Sequence, residues 1–193
     1  MEVIKSLITS ILIRINILLG ARTSGHNFRE ETYLMKIKIY AIGHLKEAYL
    51  KQGINEYLKR LEPYTQVEVI EVDDEPVNNN PSQKDIENVK NKEGQKIIKL
   101  LKNNEYLIGL DLVKKQLTCE EFAKYIEDKF VLGGSNISFV IGGSYGLSEE
   151  LKNRCNDRLS LSNMTFLHQM TRLILLEQIY RAFKINRNEV YHK

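Results

Sequence analysis

Two consecutive strand-to-loop passages near the C-terminal end constrain this chain most. Residues 139–146 read FVIGGSYG, and residues 159–183 read LSLSNMTFLHQMTRLILLEQIYRAF. In the first, an apolar strand runs into a glycine turn. In the second, a short apolar strand opens into a polar loop and then a long helix. The rest of the chain supplies the same alternation of periods. Residues 36–42 and 66–72 alternate as strands do, with Val67, Val69 and, less cleanly, Glu71 on one face of the second. Between them, Ala48, Tyr49, Ile54, Tyr57, Leu58 and Leu61 keep a helical rhythm over 46–61 that Pro63 closes. The acidic, Asn-rich stretch 73–81 reads as a loop, and Ser82 caps a helix reaching about residue 102. Residues 106–112 and 137–141 are nearly continuous apolar runs, which predicts strands buried on both faces. Thr118 with Glu121 makes a capping box for a helix ending near Gly133 and Gly134. Ser148, followed by Glu149 and Glu150, opens a short helix, and 158–161 is a brief strand. Strands alternating with helices predict a one-domain α/β fold with a mainly parallel sheet covered on both sides, and ligand loops at the strand ends.

Charge narrows the partner. The net charge is only +3, too small for a protein that coats nucleic acid. Its distribution is uneven: residues 62–93 hold nine acidic side chains against three lysines, and residues 163–193 hold five Lys or Arg against two Glu. The basic end adjoins the suspected ligand loops and favours an anionic partner there, although a solvated basic face explains the charge equally well. Cys119 and Cys155 form no CxxC pair and no Cys/His cluster, so neither a metal site nor a disulfide framework is expected, and a reducing, cytoplasmic setting fits. The apolar run 7–19 is broken by Arg14 and Asn16 and is too short to span a membrane. Arg14 also argues against a signal peptide. Met35 opens an alternating strand like a natural start, so residues 1–34 are expected to be a non-native or unstructured extension, leader sequence read as protein, and 35–193 the domain.

The motifs exclude several chemistries. IGGSYG matches the last two glycines of a dinucleotide fingerprint at Gly143 and Gly146, but Ile141 stands at the first position and no acidic residue ends the next strand. No Walker lysine follows, and HExxH and paired-carboxylate patterns are absent. A tight turn would by itself explain these glycines. In SLSNMTF, Ser160, Ser162, Asn163 and Thr165 alternate with Leu161, Met164 and Phe166. Backbone polar groups between apolar walls suit adenine, while an N-cap cluster is the simpler alternative. The loop after Leu110 can wall the same pocket. His168 and Arg172 share a helix face, and the chain closes on Tyr191, His192 and Lys193, able to stack on a base and pair with phosphate.

On these residues the chain resembles the RlmH family of ribosomal RNA large-subunit methyltransferases, within the SPOUT superfamily. The likeness rests on MKIKIYAIGHLKE from residue 35, NKEGQ at 91–95, FVIGGSYGLS, the 159–183 segment and the terminal YHK, in order. Leu167 departs from the proline that the family commonly places before the histidine. The resemblance implies a C-terminal trefoil knot in the α/β sheet, an exception to the rule against knotted chains. It implies a homodimer and S-adenosyl-L-methionine held by Leu110, Gly142, Leu161, Ser162, Asn163, Met164, Thr165 and Phe166. It further implies methylation at N3 of a pseudouridine in helix 69 of 23S rRNA on the assembled ribosome, with no membrane or metal involved. His168 is the expected base, and Arg172 is expected to orient substrate or stabilise charge. Arg181, Tyr191, His192 and Lys193 are expected to grip RNA. A SPOUT enzyme acting on another RNA such as tRNA, or a non-enzymatic RNA-binding assembly protein, are the alternatives.

Overall fold

Ile37, Ile39 and Ala41 leave the first strand on one side, Tyr40 and Ile42 on the other, and all five are buried. A strand with two apolar faces needs helices on both. The structure, a computed structural model, describes residues 35–112 and 114–191, so the extension at 1–34, His192 and Lys193 lie outside the described residues. The order is β1 (Lys36–Ile42), α1 (Ala48–Leu61), β2 (Gln66–Val72), α2 (Gln83–Ile98), β3 (Tyr106–Leu110), α3 (Cys119–Leu132), β4 (Asn136–Ile141), α4 (Glu149–Arg154), β5 (Asp157–Leu159) and α5 (His168–Asn186). The five strands form one parallel sheet in the order β2-β1-β4-β3-β5.

The period-two alternation sorts the core into two layers. Ile39, Ile108 and Phe139 join one cluster with Ile54 of α1, Ile126 of α3 and Ile179 of α5. Tyr40, Leu107 and Val140 join the other with Ile97 of α2 and Leu151 of α4. The expected caps are present. Ser82 Oγ accepts from the Asp85 N–H at 3.2 Å and Thr118 Oγ1 from the Glu121 N–H at 3.2 Å, and both acidic side chains accept in return. Ser148 Oγ accepts from the Leu151 N–H at 3.2 Å.

The boundaries differ where tertiary partners decide them. The helix expected to reach residue 102 ends at Ile98, because Leu100 and Leu101 donate to Ile97 and Ile98 in tight i to i−3 turns. The strand expected over 106–112 stops at Leu110, since its outer neighbour β5 offers only three residues, and Asp111 N–H makes the last bond to Leu159 O at 2.9 Å. That neighbour covers 157–159 rather than the expected 158–161. Helix α5 continues past 183 to Asn186, whose amide donates to Ala123 O at 2.9 Å.

Candidate functional site

All five strands run the same way, so β3, β4 and β5 deliver their loops to one edge. There the loops enclose a cavity of about 630 Å³, completed by the start of α5. Of the expected ligand residues, Leu110, Gly142, Leu161, Ser162, Met164, Thr165 and Phe166 line it, as does His168. Asn163 is exposed and outside the lining. Glycine is required in the β4 loop for steric reasons: a Cβ on Gly142 would stand 2.6 Å from the Gly146 carbonyl carbon, and Gly146 holds φ at +82°. The 160–166 loop is held by its own serines. Ser160 Oγ donates to Ser162 O at 2.7 Å, and Ser162 Oγ accepts from the Met164 N–H at 2.9 Å. Ser160 N–H donates to Lys115 O at 3.0 Å, fastening this loop to the one after β3. With those hydroxyls engaged, the lining offers backbone polar groups between apolar walls.

Helix α5 opens at His168 without a side-chain cap, so the positive end of its dipole faces the site. The imidazole packs on Gly43, with Nε2 3.2 Å from where a Cβ would stand, and Gly43 sits at φ +83°. Burial first, and the nearby Arg172 guanidinium second, hold the His168 pKa below its ordinary value, so the ring is neutral at pH 7. Arg172, one turn on, does not reach the cavity. It is fully buried, donating to Glu71 Oε1 at 2.6 Å, Ile42 O at 2.7 Å and Gly43 O at 2.6 Å. It therefore closes the carbonyl end of β1 directly behind His168. Gln169 Oε1 accepts from the Lys46 N–H at 3.1 Å, a second bolt between α5 and the loop after β1. His44 bridges the Glu71 and Asp73 carboxylates at 2.9 and 2.6 Å, and those hydrogen bonds, Asp73 first, raise its pKa.

Arg181 and Tyr191 belong to the other end of α5. Thirteen residues at 1.5 Å per residue put Arg181 roughly 20 Å along the helix from His168. Arg181 pairs with Glu177 at 2.5 Å and lies over the Tyr191 ring at 4.8 Å. Tyr191 stacks edge-on against Tyr180 and donates to Glu177. Within one chain, then, Arg181 and Tyr191 are gathered with each other and not with the cavity.

Several site residues carry little sequence signal. Ser144, Tyr145, Asp111 and Lys152 line the cavity, Asp111 pairing with Arg158 at 3.2 Å and Lys152 with Glu149 at 2.8 Å. Glu71 did leave a trace, as a carboxylate on the face shared by Val67 and Val69. Among the described residues no group of His, Cys, Asp and Glu is placed to hold a metal, and no helix is long and apolar enough to cross a membrane.

A parallel sheet whose last three strand ends build one backbone-rich cavity defines the class of α/β proteins that hold a nucleotide-like molecule at strand carboxyl ends. Within that class the particular family is shown by residues 35–192, which match the family described as Predicted SPOUT methyltransferase, and the chain belongs to it. It is similar to proteins named Ribosomal RNA large subunit methyltransferase H. The relative from Carboxydothermus hydrogenoformans is 53% identical over 159 residues, covering 82% of this chain and 100% of that protein. The relatives from Halothermothrix orenii and Clostridioides difficile are 54% and 53% identical over the same spans.

Proposed function

We propose that this chain transfers a methyl group from S-adenosyl-L-methionine to large-subunit ribosomal RNA, at N3 of a pseudouridine in helix 69 of 23S rRNA in the assembled ribosome. The observation that carries the reading is the single cavity that collects the loops at Leu110, Gly142 and 161–166 around His168, in a chain of the SPOUT methyltransferase family. The residues fit the donor. The cavity is of small-molecule size, glycine and loop main chain lines it, and Leu110, Leu161 and Phe166 offer apolar cover to a flat base. When bound, the donor supplies an electrophilic methyl group on a sulfonium centre.

The chain's own residues then have separate tasks. The loops align donor and nucleophile, worth several kcal/mol in a displacement needing little covalent help. His168, neutral and at the cavity wall, accepts the proton that N3 must lose. Arg172 acts through His168, holding the β1 end against which the imidazole packs. Arg181, Tyr191, His192 and Lys193 contact RNA. The cavity mouth exposes Leu112, Met164 and Leu167, and apolar side chains grouped there support a homodimer whose partner tail reaches the cavity. The bond from Ser160 N–H to Lys115 O, together with the return of α5 to β1 and β4, supports the trefoil knot. A cytoplasmic setting follows from the ribosome as substrate.

Methyl transfer from tritiated S-adenosylmethionine onto ribosomes lacking the modification tests the reading. Label in the large-subunit RNA of whole ribosomes, and little in separated subunits, is expected. Label in isolated tRNA instead assigns a different RNA, and calorimetry showing no donor binding removes the enzymatic reading.

A further inference from the structure

Glu93 of α2 is only 4% exposed, and its two oxygens have different fates. Oε1 accepts from the Glu75 N–H at 3.0 Å, whereas Oε2 is buried with no hydrogen-bond partner. Buried carboxylate oxygens are rarely left so, and one that is calls for a cause. Lys96 and Lys92 of the same helix pair with Glu75 instead, at 2.6 and 3.6 Å. Oε2 points instead at the glycine turn, 2.7 Å from where a Cβ on Gly143 would stand, beside the Ile42 side chain. Gly143 lines the cavity from its other side. Only glycine backbone therefore separates an unpaired carboxylate from the ligand space.

The charged groups already in the lining cannot do what this carboxylate can. Asp111 and Lys152 are paired with Arg158 and Glu149, and His168 is neutral at pH 7. The methyl donor carries a sulfonium cation, and its demethylated product is a neutral thioether. The two differ in one positive charge and one methyl group. A negative charge held across a glycine, away from water, feels that difference strongly.

We infer that Glu93 is a specificity-determining residue, whose carboxylate behind Gly143 favours the sulfonium-bearing donor over its neutral product. The inference rests on the cavity being the donor site. It also gives glycine at position 143 a purpose, since a side chain there would push the carboxylate back. Burial first holds the Glu93 pKa above its ordinary value, opposed by the hydrogen bond from the Glu75 N–H and by Lys96, and aided by the Asp74 and Glu75 charges. Sulfonium binding favours the ionised form, so donor affinity rises with pH through that raised pKa while product affinity does not.

Calorimetry on the full chain with S-adenosylmethionine and S-adenosylhomocysteine, for the native protein and Glu93→Gln, decides the matter. The expected result is about a tenfold loss of the donor-over-product preference in Glu93→Gln, with product affinity unchanged and the pH dependence of donor binding flattened. Equal losses for both ligands would mean a structural role only, and an unchanged ratio would overturn the inference equally. Should Glu93→Gln fail to fold, the native protein suffices: a donor-to-product affinity ratio independent of pH overturns it. Native protein that binds neither ligand refutes the donor site itself, and the inference with it.

Discussion

His168 and Arg172 are four residues apart, on one helix face, yet the structure divides their labour. His168 meets the cavity while Arg172 is wholly inside, donating to the Ile42 carbonyl at the end of β1. The His168→Ala variant is expected to lose about 10²- to 10⁴-fold in turnover while donor affinity stays near native. Near-full turnover would remove His168 as the base. Because burial and Arg172 lower the imidazole pKa, its basic form persists to below pH 6.5, and the acid limb of the kcat/KM profile should lie there; a limb above that value contradicts the assignment. Arg172→Met makes a different prediction. It strips the partner from Glu71 and the donors from two buried carbonyls, and should cost about 3 kcal/mol in urea unfolding. Stability within about 0.5 kcal/mol of native would show that Arg172 does not tie β1 to α5. The pairing of chemical types was legible in the sequence; which of the two would be buried was not, because burial depends on the neighbouring strand.

At the scale of elements, periodicity and capping chemistry act locally, so they were readable. Thr118 with Glu121 and Ser148 before Glu149 sit at helix starts because their side chains satisfy amides within three residues. Ends were less readable. Leu112 is as apolar as Leu110, yet the strand stops at Leu110 where its partner β5 runs out. The glycine turn is likewise a local device with a non-local purpose. Gly142→Ala places a methyl against the Gly146 backbone, so the turn must open, and donor affinity should fall at least tenfold while the far-UV spectrum stays native. A variant that binds donor normally would show that the turn does not shape the site.

At the scale of the whole molecule, the sheet order places the C-terminal ends of β3, β4 and β5 side by side although helices separate them in the chain. The described tail folds back on α5 and α1, with Tyr191 against Tyr180, Glu177 and Tyr57. On the proposed reading, RNA contact by that tail serves a cavity roughly 20 Å along the helix, a gap that the proposed second copy of the chain would bridge. Deleting residues 191–193 should lower methylation of ribosomes with calorimetric donor affinity intact. Loss of donor binding on deletion would place the tail inside the donor site instead.

By itself the sequence determined what short-range physics controls: the alternation of strand and helix, the capped helix starts, the glycine turn, the polar-apolar loop at 160–166, and a rejection of dinucleotide chemistry from one missing glycine. Tertiary structure alone decided how far each element runs, that Arg172 is spent inside the core, that Asn163 faces away, and that Glu93 lies unpaired behind Gly143. The reason is distance along the chain. Glu93 and Gly143 stand fifty residues apart, and only the sheet order β2-β1-β4, with α2 packed against α4, brings the helix after β2 under the loop after β4.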